Sequence, residues 1–188
     1  MGEYMDLSII NELANECYIE AILKNCKQIN KKFSLKSAKD TGCVAELVTV
    51  LYICNMFENA IKVCDILNDI KFNGNYTLWD NVVNARLVKS RILRYLSKED
   101  ETHELLEEIM VHENQKLWCN QSLCLTQYDK NISEAKERNA KKDILSWQLI
   151  KYEMMIRFAE IPSFPLDKEK LNDEICELTN ELREKLMG

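Results

Sequence analysis

The sequence predicts an all-α fold built as stacked antiparallel helical hairpins, with about eight helices. Three observations carry that expectation. The chain of 188 residues holds only four glycines and two prolines, so little punctuates the backbone. Leu, Ile, Glu, Lys and Asn dominate, and most of these are good helix formers. Apolar residues recur at i, i+3, i+4 and i+7 through most of the chain. With 46% apolar content the length suffices to bury one core. We therefore read residues 1–188 as a single helical domain: a hairpin array over 1–160, a Pro linker at 161–166 and a C-terminal packing helix at 167–187.

The first segment, about 6–33, repeats Ile10, Leu13, Ala14, Cys17, Tyr18, Ala21 and Ile22 and continues through Cys26, Ile29 and Phe33 at helical spacing. Ser37 can cap a second helix whose inward face reads Val44, Leu47, Val48, Leu51 and Tyr52. Asn55-Met56 forms the turn. Phe57, Ala60, Ile61, Cys64 and Leu67 carry the period onto a third helix, which ends near Ile70 before the Asn73-Gly74 break. A fourth helix, about 77–96, aligns Leu78, Val82, Ala85, Val88, Ile92 and Tyr95, and a short acidic helix at about 100–112 follows. Over 114–138 the spacing of Leu117, Trp118, Cys124, Leu125 and Tyr128 is helical, while Asp129–Ser133 reads as a break between two helices. From Lys141 to Glu160 the stripe of Leu145, Leu149, Tyr152, Ile156 and Ala159 predicts a largely buried helix. Pro162 and Pro165 make 161–166 a non-helical connection. Asp167 can then cap a last helix with a narrow stripe of Leu171, Ile175, Leu178, Leu182 and Leu186, too short for a coiled coil and expected to pack back on the domain.

Eight cysteines lie within apolar helical stripes, and the Met1–Asp6 start has neither a basic n-region nor an apolar h-region. A reduced, cytoplasmic protein is the expectation, with cysteines serving as small core hydrophobes. No apolar run approaches the roughly 18 residues of a membrane span, so no membrane role is expected. A formal charge of −6 argues against general nucleic-acid binding. That charge is unevenly spread. Lys24, Lys27, Lys31, Lys32, Lys36 and Lys39 lie in a stretch without acids, whereas residues 99–113 carry seven acids and no Lys or Arg.

Phe57-Glu58-Asn59-Ala60-Ile61, with Cys64 and Leu67 after it and Leu47 and Leu51 before it, resembles one tetratricopeptide-type hairpin, with small Ala60 at the close approach of the helices. The likeness covers about 35 residues within 44–79, has no second copy 34 residues on, and implies a fold class only. Phe72-x-Gly74-Asn75-Tyr76-x-Leu78-Trp79 is similar to a block in small uncharacterised bacterial helical proteins, and that resemblance implies no activity.

The acidic helix is the first functional candidate. Glu99, Asp100, Glu101, Glu104, Glu107 and Glu108 surround the apolar residues Leu105, Leu106, Ile109 and Met110, so the carboxylates should cover the solvent face. Like charges at i, i+3 and i+4 cost a helix a few tenths of a kcal/mol per pair, roughly, and a use for the row would offset that. Such a face suits a basic protein partner; the plainer alternative is a solvated helix. Tyr76, on the turn before the fourth helix, or Trp79, within that helix, could supply an aromatic anchor beside it.

Two catalytic alternatives are weaker. Glu104, Glu108 and His112 share a helix face, but no Glu-x-x-His lies on a second helix, and His103 and His112 read as charge-paired surface residues. Cys43 follows Thr41-Gly42 near a helix start and is the best thiol candidate, yet nothing in sequence pairs with it. No phosphate loop, G-x-S-x-G or H-E-x-x-H occurs, so neither a cofactor nor a metal is expected. The sequence reading is thus a non-enzymatic protein-binding module, in its sharpest form an immunity-type inhibitor of a basic toxin or nuclease domain. The alternative is an adaptor that holds a peptide segment, and the oligomeric state stays open.

Overall fold

The computed structural model describes residues 34–113 and 121–187, which form seven α-helices and no strand. They are α1 (Ala38–Ile53), α2 (Phe57–Asp65), α3 (Tyr76–Tyr95), α4 (Glu99–Glu113), α5 (Gln121–Glu137), α6 (Lys141–Glu160) and α7 (Lys168–Met187). The expected helix at 6–33, and most of the lysine-rich stretch 24–39, lie outside the described residues.

Ser37 caps α1 by accepting a hydrogen bond from the Asp40 N–H at 3.3 Å. The helix is buried well beyond the expected stripe: Ala45, Thr49, Val50 and Ile53 are buried along with Val44, Leu47, Val48 and Leu51, while Tyr52 is half-buried. A helix that is apolar on most sides must be covered on most sides. Accordingly α2, α3, α6 and α7 all pack against it. Gly42 lets α3 approach closely. A Cβ there would meet the Asn81 side-chain amide at 3.3 Å, and that amide donates to the Ala38 carbonyl at 2.7 Å. Asn81 thus sits near the start of both helices, while Arg91 reaches Tyr52 near their ends, so α1 and α3 run parallel with α2 returning between them.

The loop into α3 is built from its own side chains. Asn73 Oδ1 accepts from the Asn75 N–H, Gly74 adopts φ +91°, and Asn75 Oδ1 accepts from the Leu78 N–H to cap the helix.

Three hairpin turns share one geometry. Asn55, Ser97 and Asn139 all take positive φ (62°, 58° and 52°), and the next residue's N–H, from Met56, Lys98 and Ala140, donates five residues back at 2.9 Å to Leu51, Leu93 and Ala135. The turn residues are 42 positions apart, and so are the starts of the helices that follow, Phe57, Glu99 and Lys141. The chain therefore repeats a helical hairpin every 42 residues, which a comparison at the 34-residue period misses. The third hairpin does not extend a regular stack. Its helix α6 packs on both α1 and α3, and α7 packs on α6 and α1.

The anticipated break at Asp129–Ser133 is corrected: α5 runs unbroken through it. The apolar period continues through Ile132 and Ala135, and the polar residues bond outward, Asn131 accepting from Gln127 at 2.9 Å and Asp129 pairing with Lys151 of α6. After the irregular stretch at 161–166, Asp167 caps α7 by accepting from the Lys170 N–H at 3.1 Å. Leu171, Ile175, Leu182 and Leu186 are buried and Leu178 is half-buried, so the narrow stripe packs back within the molecule. Arg183 fastens its far end, donating to the Ile53 carbonyl at 2.6 Å and to Asn55 at 2.9 Å. One continuous apolar core runs from Val44 to Leu186. Among the described residues no helix is long and apolar enough to cross a membrane.

Candidate functional site

The acidic helix is positioned by its own apolar minority. Thr102 and Ile109 are buried, Leu105, Leu106 and Met110 are half-buried against the core, and α4 lies antiparallel to α3. Glu99, Asp100, Glu101, Glu104, Glu107 and Glu108 are consequently all exposed. Glu99, Asp100 and Glu101 occupy the first turn, where the helix dipole offsets part of their mutual repulsion.

Three of the six carboxylates are engaged locally. Glu101 pairs with Lys98 at 2.9 Å, Glu107 with His103 at 3.1 Å, and Glu108 with Arg86 at 3.0 Å. Glu99, Asp100 and Glu104 have no ion-pair partner among the described residues. Between α3 and α4 lies a shallow groove of about 260 Å³, with Leu93 and Leu105 on its floor and Lys89, Glu101, Glu104 and Glu108 on its walls. The helix thus offers a carboxylate-rimmed surface with an apolar strip. That combination suits a basic side chain with an aliphatic stem.

Arg86, which the sequence did not single out, ties this face to the rest of the fold. Its side chain is 2% exposed, and its Nη2 donates to the carbonyls of Leu67, Asn68 and Ile70 at 3.4, 3.0 and 3.2 Å. Its guanidinium also lies 5.4 Å from the centroid of the Trp79 ring. Glu108 is therefore partly a structural counter-charge. Trp79 must be removed from the surface set, because at 1% exposure its ring lies between Arg86 and Phe72 and faces no solvent. Trp79 lies on the buried side of α3 with Leu78, Val82 and Val83, whereas Tyr76, three residues earlier, is 53% exposed against Phe72.

Two further polar clusters lie away from α4. Glu160 is buried, accepts from Arg91 at 2.9 Å and pairs with Arg94 at 2.8 Å, while Arg91 also donates to Asn172 of α7. This cluster ties α3, α6 and α7 together. The second joins α1 to α6: Thr49 donates its hydroxyl to Glu153 at 3.0 Å. Burial pushes the Glu153 carboxyl up to about 7, and nearby Glu46 adds to the rise, against the Thr49 hydrogen bond and Arg157. Burial raises Glu46 as well. In the sequence these residues looked like polar members of amphipathic helices, and the only available signal was a charge inside an apolar stripe.

The catalytic candidates do not gain geometry. Burial raises the Cys43 thiol, and Glu46 and Asp40 raise it further, whereas a nucleophile needs its thiolate favoured. Of the Glu104, Glu108 and His112 row, Glu108 is held by Arg86, and the His112 side chain lies outside the described residues. Among the described residues no group of three or more His, Cys, Asp or Glu could hold a metal ion.

Compared with known proteins, residues 6–184 match one family, described as a family of unknown function (DUF6707). No curated protein and no solved structure matches the chain.

Proposed function

The chain belongs to the DUF6707 family of unknown function, and from the geometry above we propose that it is a protein-binding helical module that docks a basic partner protein on α4. One observation carries this reading: a row of exposed carboxylates held on a buried apolar seam, with Glu99, Asp100 and Glu104 left without ion-pair partners among the described residues. A carboxylate surface of this kind steers a cationic partner toward it, and the groove floor of Leu93 and Leu105 can accept the aliphatic part of a lysine or arginine. Tyr76 is exposed but stands at the start of α3, about 28 Å along the helix from the turn that carries Glu99 and Asp100, so with Trp79 in the interior neither aromatic stands beside those carboxylates. In its sharper form the reading is an immunity-type inhibitor that covers the basic surface of a toxin or nuclease domain. A reducing cytoplasm is the setting that fits a chain in which Cys64 and Cys176 are free thiols.

The test is affinity capture from the native lysate at low and high salt, using the full chain and its Glu99→Gln/Asp100→Asn/Glu104→Gln variant. Glu108 is left intact because its loss would disturb Arg86. The reading expects a basic protein retained by the wild type at low salt, released by high salt, and recovered at least tenfold less with the variant. Retention that is the same with both baits, or that persists in high salt, contradicts it.

A further inference from the structure

We propose that the groove between α5, α6 and α7 receives the α3–α4 turn of a second copy of this chain, so that copies associate head to tail. The groove has a volume of about 460 Å³, an apolar floor of Ile144 and Leu145 beside Gln148, and a rim of Lys136, Lys141 and Lys185. Lys185 donates to Glu181 and to Gln148, so one rim charge is balanced while Lys136 and Lys141 stay exposed. Its size falls within the range of about 300–1,000 Å³ typical of pockets that hold a ligand or side-chain cluster.

The surface that fits it is the tip of the second hairpin. Tyr95 and Leu96, at 74% and 44%, are among the most exposed large apolar side chains described, and they stand side by side at the tip of the second hairpin. Ser97 in its left-handed conformation and the Lys98-to-Leu93 hydrogen bond close the turn at this tip. Immediately after it come Glu99, Asp100 and Glu101, with Lys98 paired to the last of them. Arg94 and Lys98, which adjoin the tip, are paired to Glu160 and Glu101, so Glu99 and Asp100 are the charges left beside it, and an apolar tip with two acids next to it matches an apolar floor with lysines at its rim. The two surfaces occupy equivalent turns of the 42-residue repeat, the second acidic and the third basic. Donor and acceptor are different patches, so the contact is heterologous and builds a ring or a growing chain, not a two-fold dimer. This inference goes beyond partner docking and needs no other protein, although it uses part of the same acidic turn.

Sedimentation velocity on the purified full chain tests it, from micromolar to near-millimolar concentration at low and high salt. The average mass should rise with concentration at low salt and fall back toward the 22.1 kDa monomer at high salt. Leu96→Lys, a change at the exposed tip that keeps the Tyr95–Phe57 contact, and Lys136→Glu/Lys141→Glu should each weaken association at least tenfold while unfolding cooperatively like the wild type. Mixed together, the two variants should form a one-to-one complex that grows no further, because one groove and one tip remain intact. A wild type that stays monomeric throughout overturns the proposal, as does association that neither variant weakens, or a mixture that forms no complex.

Discussion

At the scale of residues, the buried charges decide which side chains are free for a partner. Arg86 satisfies three loop carbonyls, faces Trp79 and holds Glu108, so removing it leaves several polar groups without their donor. Arg86→Met should destabilise the chain by about 2–4 kcal/mol, measured by urea unfolding. Glu108→Gln should have a much smaller effect, because Glu108 is 51% exposed and Arg86 keeps its carbonyls. Equal effects would contradict the role given to Arg86. Glu153 makes a separate prediction through pH. Its folded-state value of about 7 lies above the ordinary 4.5, so the folded chain keeps a proton that the unfolded chain releases. This group's contribution is most favourable below pH 4.5 and declines as pH rises toward 7, by on the order of 2–3 kcal/mol. Glu153→Gln should remove that decline from the stability–pH profile, and an unchanged slope across the same window would show that the carboxyl is not held up by burial.

At the scale of elements, the hairpin turns give the sharpest stability test. Ser97 holds φ 58° with a side chain that is exposed, while the equivalent residues 55 and 139 are asparagines, which tolerate that conformation better. Ser97→Gly should therefore raise stability by about 0.5–1 kcal/mol in thermal unfolding, and a loss would mean that the serine side chain has an unrecognised role. The helices themselves were largely legible in the sequence. Ser37 and Asp167 fell where caps belong, and the periods of α3, α6 and α7 placed their bounds within a residue or so. The false break in α5 arose from reading Asp129–Ser133 by composition, when the apolar spacing continued through Ile132 and Ala135. The repeat was hidden because its regularity lies in backbone geometry at Asn55, Ser97 and Asn139, with little shared side-chain identity around them. The exposure of the acidic face could be read from spacing alone. The inward turn of Trp79 and the Arg86–Glu108 pair could not, since both depend on contacts between separate elements.

At the scale of the whole molecule, α2, α3, α6 and α7 pack around α1, leaving the acidic second turn and the basic third turn of the 42-residue repeat on the surface. A molecule polarised in this way is expected to choose partners by charge first and by shape second. On the function proposed above, α4 recruits a basic protein electrostatically. The most direct measurement is the association rate of the purified chain with the captured basic protein as a function of ionic strength, for wild type and for Glu99→Gln/Asp100→Asn/Glu104→Gln. Electrostatic recruitment should give a steep fall with salt for the wild type, at least a tenfold slower rate for the variant at low salt, and a clearly shallower salt dependence, with dissociation changed less. Rates that are the same for both proteins, or insensitive to salt, would contradict it.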